Sequence, residues 1–309
     1  MQEVSPDAVR TTIIVLYSIE NVYCYIKDKT NGEIMDIVKY VKANPNKNTT
    51  ALVLNSYPRS RYVEIAMRLM CPESVYAEQV GFVEKPSDPQ AYSRLHMMGG
   101  EFCANAAASL CAYLIYEHND LNIKDKTHFI LEVSGSDRLI DCEAQKYKDG
   151  YRVQITMPLP LQIFENNLIF KGRYVEFCIV ESYDTCHAVI QDEEQSEWSK
   201  ELAHHILHNE MQNRCSVKGA TLFSKKNQRI EPLIYVEETK TEIWENSCGA
   251  ASAAVVACMA YKQKREISLD IIQPSGDYIQ ACAICLDDAI SRITIEETVY
   301  LSSVGIAFV

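Results

Sequence analysis

Residues 99–109 read GGEFCANAAAS and residues 245–254 read ENSCGAASAA, and these two stretches decide the fold. Each places one cysteine, Cys103 or Cys248, directly before a run of small residues, and an apolar segment follows. The alanine content favours helix, and small residues allow a ligand or a second backbone to approach closely. Because the same local design occurs twice, the sequence predicts two similar lobes that each contribute one thiol to a shared cleft.

The position of each cysteine at a predicted helix start indicates its chemistry. The positive end of the helix dipole favours the thiolate, so we expect the helix ends to lower the thiol pKa towards neutrality. The free N–H groups after each cysteine can receive an anion such as a carboxylate. Two such helix starts around one α-amino acid would put a sulfur on each face of the α-carbon and invert that centre. The alternative is a structural role, since free cysteine often behaves as a small hydrophobe.

Four stretches of the chain carry a family resemblance. They are EQVGF at 78–82, the first cysteine stretch at 99–106, EPLIY at 231–235 running on to IWENSCG at 243–249, and QPSG at 273–276. The cysteine stretches resemble those of the cofactor-independent amino-acid racemases of the diaminopimelate epimerase superfamily. The EQVGF and WENSC stretches are similar to those of the histidine racemases of opine-type metallophore pathways. The resemblance spans residues 33–309.

The resemblance implies an α+β fold with two pseudo-symmetric, diaminopimelate-epimerase-like lobes. Each lobe would be a mostly antiparallel sheet or barrel wrapped around a central helix, with the active site in the cleft between the lobes. We assign residues 33–157 and a C-terminal strand at 297–309 to the first lobe, and residues 158–296 to the second. Pro158 and Pro160 mark the predicted boundary.

Residues 1–32 form an extension ahead of the family resemblance, and its role is unknown. Two of its segments, 12–17 and 22–26, are rich in β-branched and aromatic residues and predict strands. Asn31-Gly32 predicts a turn after them.

The resemblance also implies the residues of the site. Cys103 and Cys248 would be the two bases, and the substrate carboxylate would be held by the backbone N–H groups of Ala104, Asn105, Gly249 and Ala250. The side-chain candidates for the α-amino group and the imidazole are Asn48, Glu78 and Glu245, and which of them handles which group stays open. The alternative for Asn48 is an asparagine-rich turn, and the alternative for Glu78 is a solvated loop position.

The chain departs from the family pattern at both cysteines. Ala104 stands where the family has glycine, and the second stretch reads CGAAS where CGSG is common. If the backbone at Ala104 needed a positive φ, its methyl group would introduce strain. These changes put substrate choice and activity in question.

Composition narrows the classes of function. The 309-residue chain has a formal charge of −12 and no run of five basic residues, which argues against nucleic acid or an anionic membrane as partner. Its apolar segments are too short to cross a bilayer. The 12 cysteines are scattered along the chain and lack the tight spacings of a disulfide framework. The N-terminus lacks the basic region of a signal peptide. We expect a cytoplasmic protein, and the resemblance implies a homodimer.

No metal or cofactor is expected. We find no Walker or Rossmann phosphate loop and no persuasive pyridoxal-phosphate signature. His204, His205 and His208 fall within one predicted helix, but no Cys or Glu ligand neighbours them in the usual metal-site pattern, so a solvated face is favoured over a metal site. His187 stands in the family's Asn-Pro-His position, where a satisfied core histidine is favoured over a pocket residue. The CxxC at 282–285 lies in a strand-like run, which points its two sulfurs to opposite faces.

Three hypotheses follow from the sequence. The leading one is an amino-acid racemase that interconverts L- and D-histidine without pyridoxal phosphate. The second is an epimerase of diaminopimelate or another amino acid, and the family's Glu-Arg-Gly reads here Trp244-Glu245-Asn246, without the arginine. The third is a family member that has lost its chemistry and serves as an interaction module. The presence of both cysteines argues against the third hypothesis.

Overall fold

The computed structural model describes residues 12–17, 22–27, 34–118, 126–212 and 214–309. Within these ranges the strands are β1 (Thr12–Tyr17), β2 (Val22–Lys27), β3 (Ile34–Pro45), β4 (Thr50–Val53), β5 (Gln79–Glu84), β6 (Ser93–Met97), β7 (Thr127–Val133), β8 (Ile140–Tyr147), β9 (Gly150–Thr156), β10 (Gln162–Phe170), β11 (Arg173–Glu181), β12 (Thr185–Gln191), β13 (Val217–Ser224), β14 (Arg229–Val236), β15 (Thr241–Trp244), β16 (Ile267–Ile272), β17 (Tyr278–Leu286) and β18 (Ala289–Phe308). The helices are α1 (Tyr62–Met70), α2 (Ala104–Glu117), α3 (Glu197–His205) and α4 (Gly249–Gln263). A π-helical turn, Ile206–Glu210, directly follows α3.

The strand β18 joins two groups of strands. Its first part pairs antiparallel with β17, its middle with β9, and its last part with β3. The pairings from β3 through β9 then return to β18, so this group forms a closed ring. On the other side, β17 continues through β16, β14, β13, β12 and β11 to β10. Most of these pairings are antiparallel.

The helices α2 and α4 form the centre of the molecule. Both are alanine-rich and buried on nearly all sides, which is the pattern of a core helix rather than an amphipathic surface helix. One hydrophobic cluster contains both helices together with side chains of the surrounding strands. The predicted α+β fold, in which sheets surround central helices, is therefore confirmed.

The helices at the periphery follow simpler rules. In α1 the buried residues Tyr62, Ile65, Ala66 and Leu69 repeat with helical spacing, and Pro72 follows its end. The helix α3 begins at a capping box in which Ser196 and Ser199 satisfy each other's backbone N–H groups.

Several boundary predictions can be compared with the structure. The strands predicted in the N-terminal extension are present as β1 and β2, and β2 pairs with β3. Asn31-Gly32 lies outside the described residues. The predicted C-terminal strand at 297–309 lies within one longer strand, β18, whose register against β3 shifts after Leu301. The lobe boundary at 157/158, between β9 and β10, stays a prediction. No helix in the described ranges has the length and apolarity needed to span a bilayer.

Candidate active site

Cys103 and Cys248 are the N-cap residues of α2 and α4. Their backbones have nearly the same extended conformation, with φ −130° and ψ 112° at Cys103 and φ −139° and ψ 108° at Cys248. The N–H of Ala106 donates to the Cys103 Sγ at 3.4 Å. Both cysteines therefore lie at helix starts, as the sequence predicted, and the free N–H groups of each first turn lie beside a sulfur.

The two helix starts approach each other closely. A Cβ on Gly249 would lie 2.9 Å from the Ala104 Cβ and 2.7 Å from Ile295 Cδ1, so no side chain fits there. Ala104 is not among the residues with positive φ, and its methyl group therefore introduces no backbone strain. Only glycine at position 249 allows this approach, and the departure from the family pattern at Ala104 is tolerated.

One cavity of about 300 Å³ lies at these helix starts. The structure brings together all nine residues that the sequence analysis named for the site, since the cavity lining includes Asn48, Glu78, Cys103, Ala104, Asn105, Glu245, Cys248, Gly249 and Ala250. The sequence analysis did not name several further lining residues, including Gln79, Glu101, Val217 and Ile234.

Amide side chains from distant segments hold the second cysteine stretch. The Nδ2 groups of Asn48 and Asn105 donate to the Ser247 carbonyl oxygen at 2.7 and 3.2 Å. The Gln273 Oε1 accepts from the Cys248 N–H at 3.0 Å, and its Nε2 donates to the Ser252 Oγ at 3.0 Å. Because these bonds join residues far apart in sequence, only the QPSG resemblance drew attention to Gln273. Asn48 therefore has a structural contact in addition to its predicted role.

The surroundings of the thiols raise their pKa. Burial is the largest cause at Cys103 and Cys248, the charge of Glu245 acts in the same direction, and the first-turn N–H groups offset only part of the rise. The expectation that the helix ends bring the thiol pKa towards neutrality is therefore wrong. Burial in an apolar wall outweighs the helix dipole.

Each thiol has a polar neighbour. The Cys103 Sγ donates to the Gln79 Oε1 at 3.2 Å. The Glu245 carboxyl interacts with the Cys248 thiol, and burial raises the Glu245 pKa to about 7. A carboxyl group with that pKa can take up or release a proton near neutral pH.

The cavity also holds polar groups without partners. Glu101 Oε2 and both ring nitrogens of His187 are buried and have no hydrogen-bond partner among the described residues. Burial raises the Glu101 pKa and lowers the His187 pKa to about 4, so the imidazole is neutral. A Cβ on Gly219 would lie 2.3 Å from His187 Nδ1, so this ring also depends on a glycine. His187 is thus buried but not satisfied, contrary to the favoured sequence interpretation.

Comparisons with known proteins agree with this geometry. Residues 37–308 match the family described as the histidine racemase CntK N-terminal domain. A histidine racemase of Staphylococcus aureus is 30% identical over 255 residues, which cover 81% of this chain and 90% of the relative. A histidine racemase of Fusobacterium nucleatum is 27% identical over 250 residues, which cover 78% of this chain and 88% of the relative.

Two solved structures show the same fold at low sequence identity. A hydroxyproline epimerase from Agrobacterium vitis has a TM-score of 0.64 at 10% identity, with 88% of this chain and 93% of that chain covered. A predicted epimerase from Pseudomonas aeruginosa has a TM-score of 0.59 at 9% identity, with 87% of this chain and 98% of that chain covered. Because the family match covers most of the chain and the relatives align over most of their length, the chain belongs to the histidine racemase family and is an isomerase of the amino-acid racemase class.

Proposed function

We propose that this enzyme interconverts L- and D-histidine by a two-base mechanism without pyridoxal phosphate, with Cys103 and Cys248 as the bases. The observation that carries the proposal is the pair of N-cap cysteines on two touching helix starts that line one cavity. The family relatives, which are named histidine racemases, support the choice of substrate.

The substrate carboxylate would be held by the first-turn N–H groups of both helices. Ala104 and Asn105 provide them on α2, and Gly249 and Ala250 on α4. These dipoles also stabilise the negative charge that develops on the carboxylate as the Hα leaves. The four residues line the cavity, which supports this assignment.

The proton transfers balance over one turnover. One cysteine acts as thiolate, takes the Hα and becomes a thiol, while the other gives its proton to the opposite face of the α-carbon and becomes the thiolate. The roles are reversed for the other enantiomer. Because the thiol pKa values are raised, a thiolate has to be generated in the site. Glu245, whose carboxyl interacts with the Cys248 thiol, is the group that takes up this proton.

The rest of the cavity suits an imidazole side chain. Glu101 Oε2 provides an acceptor for an imidazole N–H, and the His187 ring provides one donor and one acceptor. Apolar walls from Val217 and Ile234 flank these groups. Glu78, whose Oε1 accepts from Asn246 Nδ2 at 3.2 Å, remains with Asn48 as a candidate partner of the α-amino group.

The wider setting of the proposal rests on the family resemblance. We propose that the D-histidine enters metallophore biosynthesis and that the enzyme is a cytoplasmic homodimer. The alternative activities are epimerisation of diaminopimelate or another amino acid, and an interaction role without catalysis.

A substrate panel tests the activity. The purified enzyme is incubated with single L-amino acids in D₂O, and Hα exchange is followed by NMR and inversion by chiral chromatography. We expect exchange and inversion with histidine. Exchange with diaminopimelate alone would show that diaminopimelate, and not histidine, is the substrate. The absence of exchange with every amino acid would support the interaction role instead.

A further inference from the structure

Three metal-binding side chains meet beside the cysteine-containing segment. His204 lies in the last turn of α3, His208 lies in the π-helical turn that follows, and Glu242 lies on β15. Glu242 Oε1 is 3.1 Å from His204 Nδ1, and Glu242 Oε2 is 2.5 Å from His208 Nε2. The three ligand atoms all lie within 4.8 Å of one another.

The two imidazole rings are held in matching orientations. Their planes differ by 6° and their centroids are 6.5 Å apart. The His204 and Trp244 rings are nearly perpendicular, with centroids 5.9 Å apart. The His208 and Tyr235 rings are arranged in the same way, with centroids 6.0 Å apart. The pair spans the junction between α3 and the π-helical turn, and such turns are frequent at functional sites. The ligands are therefore largely positioned without a bound ion.

We propose that His204, His208 and Glu242 form a binding site for Zn²⁺ or a similar divalent transition-metal ion. Two imidazoles and one carboxylate are ligands that zinc accepts, with a water in the fourth position. Bonds of about 2.0–2.2 Å to such ligands imply separations near 3.3 Å, so small side-chain movements admit the ion. Mg²⁺ and Ca²⁺ prefer all-oxygen sites and do not fit these ligands.

The third ligand explains why the sequence analysis favoured a solvated face. The histidines are four residues apart, but Glu242 comes from a strand 34 residues after His208. Without an ion, these are exposed contacts between imidazole and carboxylate groups, which stabilise proteins little. With an ion, they join α3 and its π-helical turn to β15.

A metal at this position would act on the neighbouring cavity. Glu242 itself lines the cavity. The strand β15 ends at Trp244, and the chain continues directly to Glu245 and Cys248. An ion that fixes β15 against α3 would therefore fix one wall of the site. This inference does not depend on which amino acid is the substrate.

Calorimetric titration with Zn²⁺ alone tests the site. The full chain is used without an affinity tag, and the buffer contains no free histidine, because the amino acid chelates zinc. We expect one equivalent to bind and the melting temperature to rise with zinc. His204→Ala, His208→Ala and Glu242→Gln should each weaken binding by at least about tenfold, since even loss of an outer-shell partner costs about 10–100-fold. His205→Ala, on the same helix but outside the triad, is the matched control and should bind normally.

The cysteines provide the competing zinc ligands. A Cys103→Ser/Cys248→Ser double variant should keep the site, and a Co²⁺ titration should show a site without thiolate-to-metal charge-transfer bands. The proposal would be overturned by zinc binding that is lost in the cysteine variant and kept in the triad variants. It would equally be overturned by the absence of zinc binding in the folded wild-type protein.

Discussion

The two cysteines occupy equivalent places at their helix starts but have different neighbours. Cys103 donates to the uncharged Gln79 amide, whereas Cys248 interacts with the Glu245 carboxyl. Burial raises the pKa of both thiols. Because an adjacent carboxyl group can accept a proton and an amide cannot, Cys248 is the thiol that Glu245 can activate. The nature of these neighbours could not be read from the repeated cysteine stretches.

Serine at either cysteine should abolish inversion. A serine hydroxyl is far less acidic than a thiol, so Cys103→Ser and Cys248→Ser should each reduce kcat by about a thousandfold, within the 10²–10⁴-fold range that one positioned acid or base group contributes. Circular dichroism and the melting temperature should stay near the wild-type values. The matched control is Cys282→Ser, a cysteine of β17 that does not line the cavity. Wild-type turnover in either site variant would remove that cysteine from the mechanism.

Glu101 should determine the preference for histidine. Its Oε2 is buried without a partner, so it is available to the substrate imidazole. Glu101→Gln should lower kcat/KM for histidine by about 10–100-fold, the equivalent of the 1.5–3 kcal/mol of a hydrogen bond to a charged group. Glu201→Gln, an exposed position of α3, serves as control. Steady-state kinetics with unchanged kcat/KM in Glu101→Gln would contradict this role.

At the scale of elements, sequence patterns predicted local structure better than contacts between elements. The alanine-rich segments after each cysteine predicted α2 and α4, and the segments rich in β-branched and aromatic residues predicted β1 and β2. The bonds from Gln273 and Asn48 to the second cysteine stretch depend on how strands align, and no local pattern encodes that alignment. The same reason hid the contact between Glu242 and the two histidines.

The strand β13 carries a glycine that makes room for His187. A Cβ at Gly219 would lie 2.3 Å from His187 Nδ1, whereas the nearest atom to a Cβ at Gly305, in β18, is 3.5 Å away. Gly219→Ala should therefore reduce the free energy of unfolding by about 1–3 kcal/mol through overpacking. Gly305→Ala should be neutral or slightly stabilising. Urea denaturation of both variants measures the difference, and equal effects would contradict the close packing of His187.

The middle of β18 carries a buried carboxyl group that makes stability depend on pH. Glu297 is 3% exposed and accepts from Asn46 Nδ2 through Oε2, and its Oε1 has no hydrogen-bond partner in the part of the chain that the structure describes. Burial raises its pKa from the ordinary 4.5 to about 8. The unfolded chain therefore releases this proton at lower pH than the folded chain. The contribution to stability is complete below pH 4.5 and is lost as the pH rises to about 8.

Glu297→Gln should remove this loss. Relative to wild type, the variant should gain stability with rising pH, by as much as about 1.4 kcal/mol for each pKa unit of the shift. Denaturation curves at several pH values from about 5 to 8 measure the difference, and other titrating groups cancel in the comparison. Parallel pH profiles of the two proteins would show that Glu297 does not titrate in this range.

At the scale of the whole molecule, the repeated cysteine stretches predicted the arrangement because each marks the start of a central helix. One core joins both helices, and β18 pairs with strands of both groups. The direction of the thiol pKa shifts was predicted wrongly because the sequence shows the helix ends but not the depth of burial. Glu101 was missed as a pocket residue, and a core role was favoured over a pocket role for His187, because nothing local in the sequence indicates that their polar atoms lack partners among the described residues.

The central claim is that two thiols act on opposite faces of one α-carbon. Its most direct test is the distribution of deuterium after L-histidine is converted to low extent in D₂O. A two-base enzyme delivers a solvent-derived proton from the second thiol, so the D-histidine should carry deuterium at Cα while the remaining L-histidine stays protiated. D-histidine that retains the original Hα, or label that enters L-histidine as fast as D-histidine, would show that a single base serves both faces.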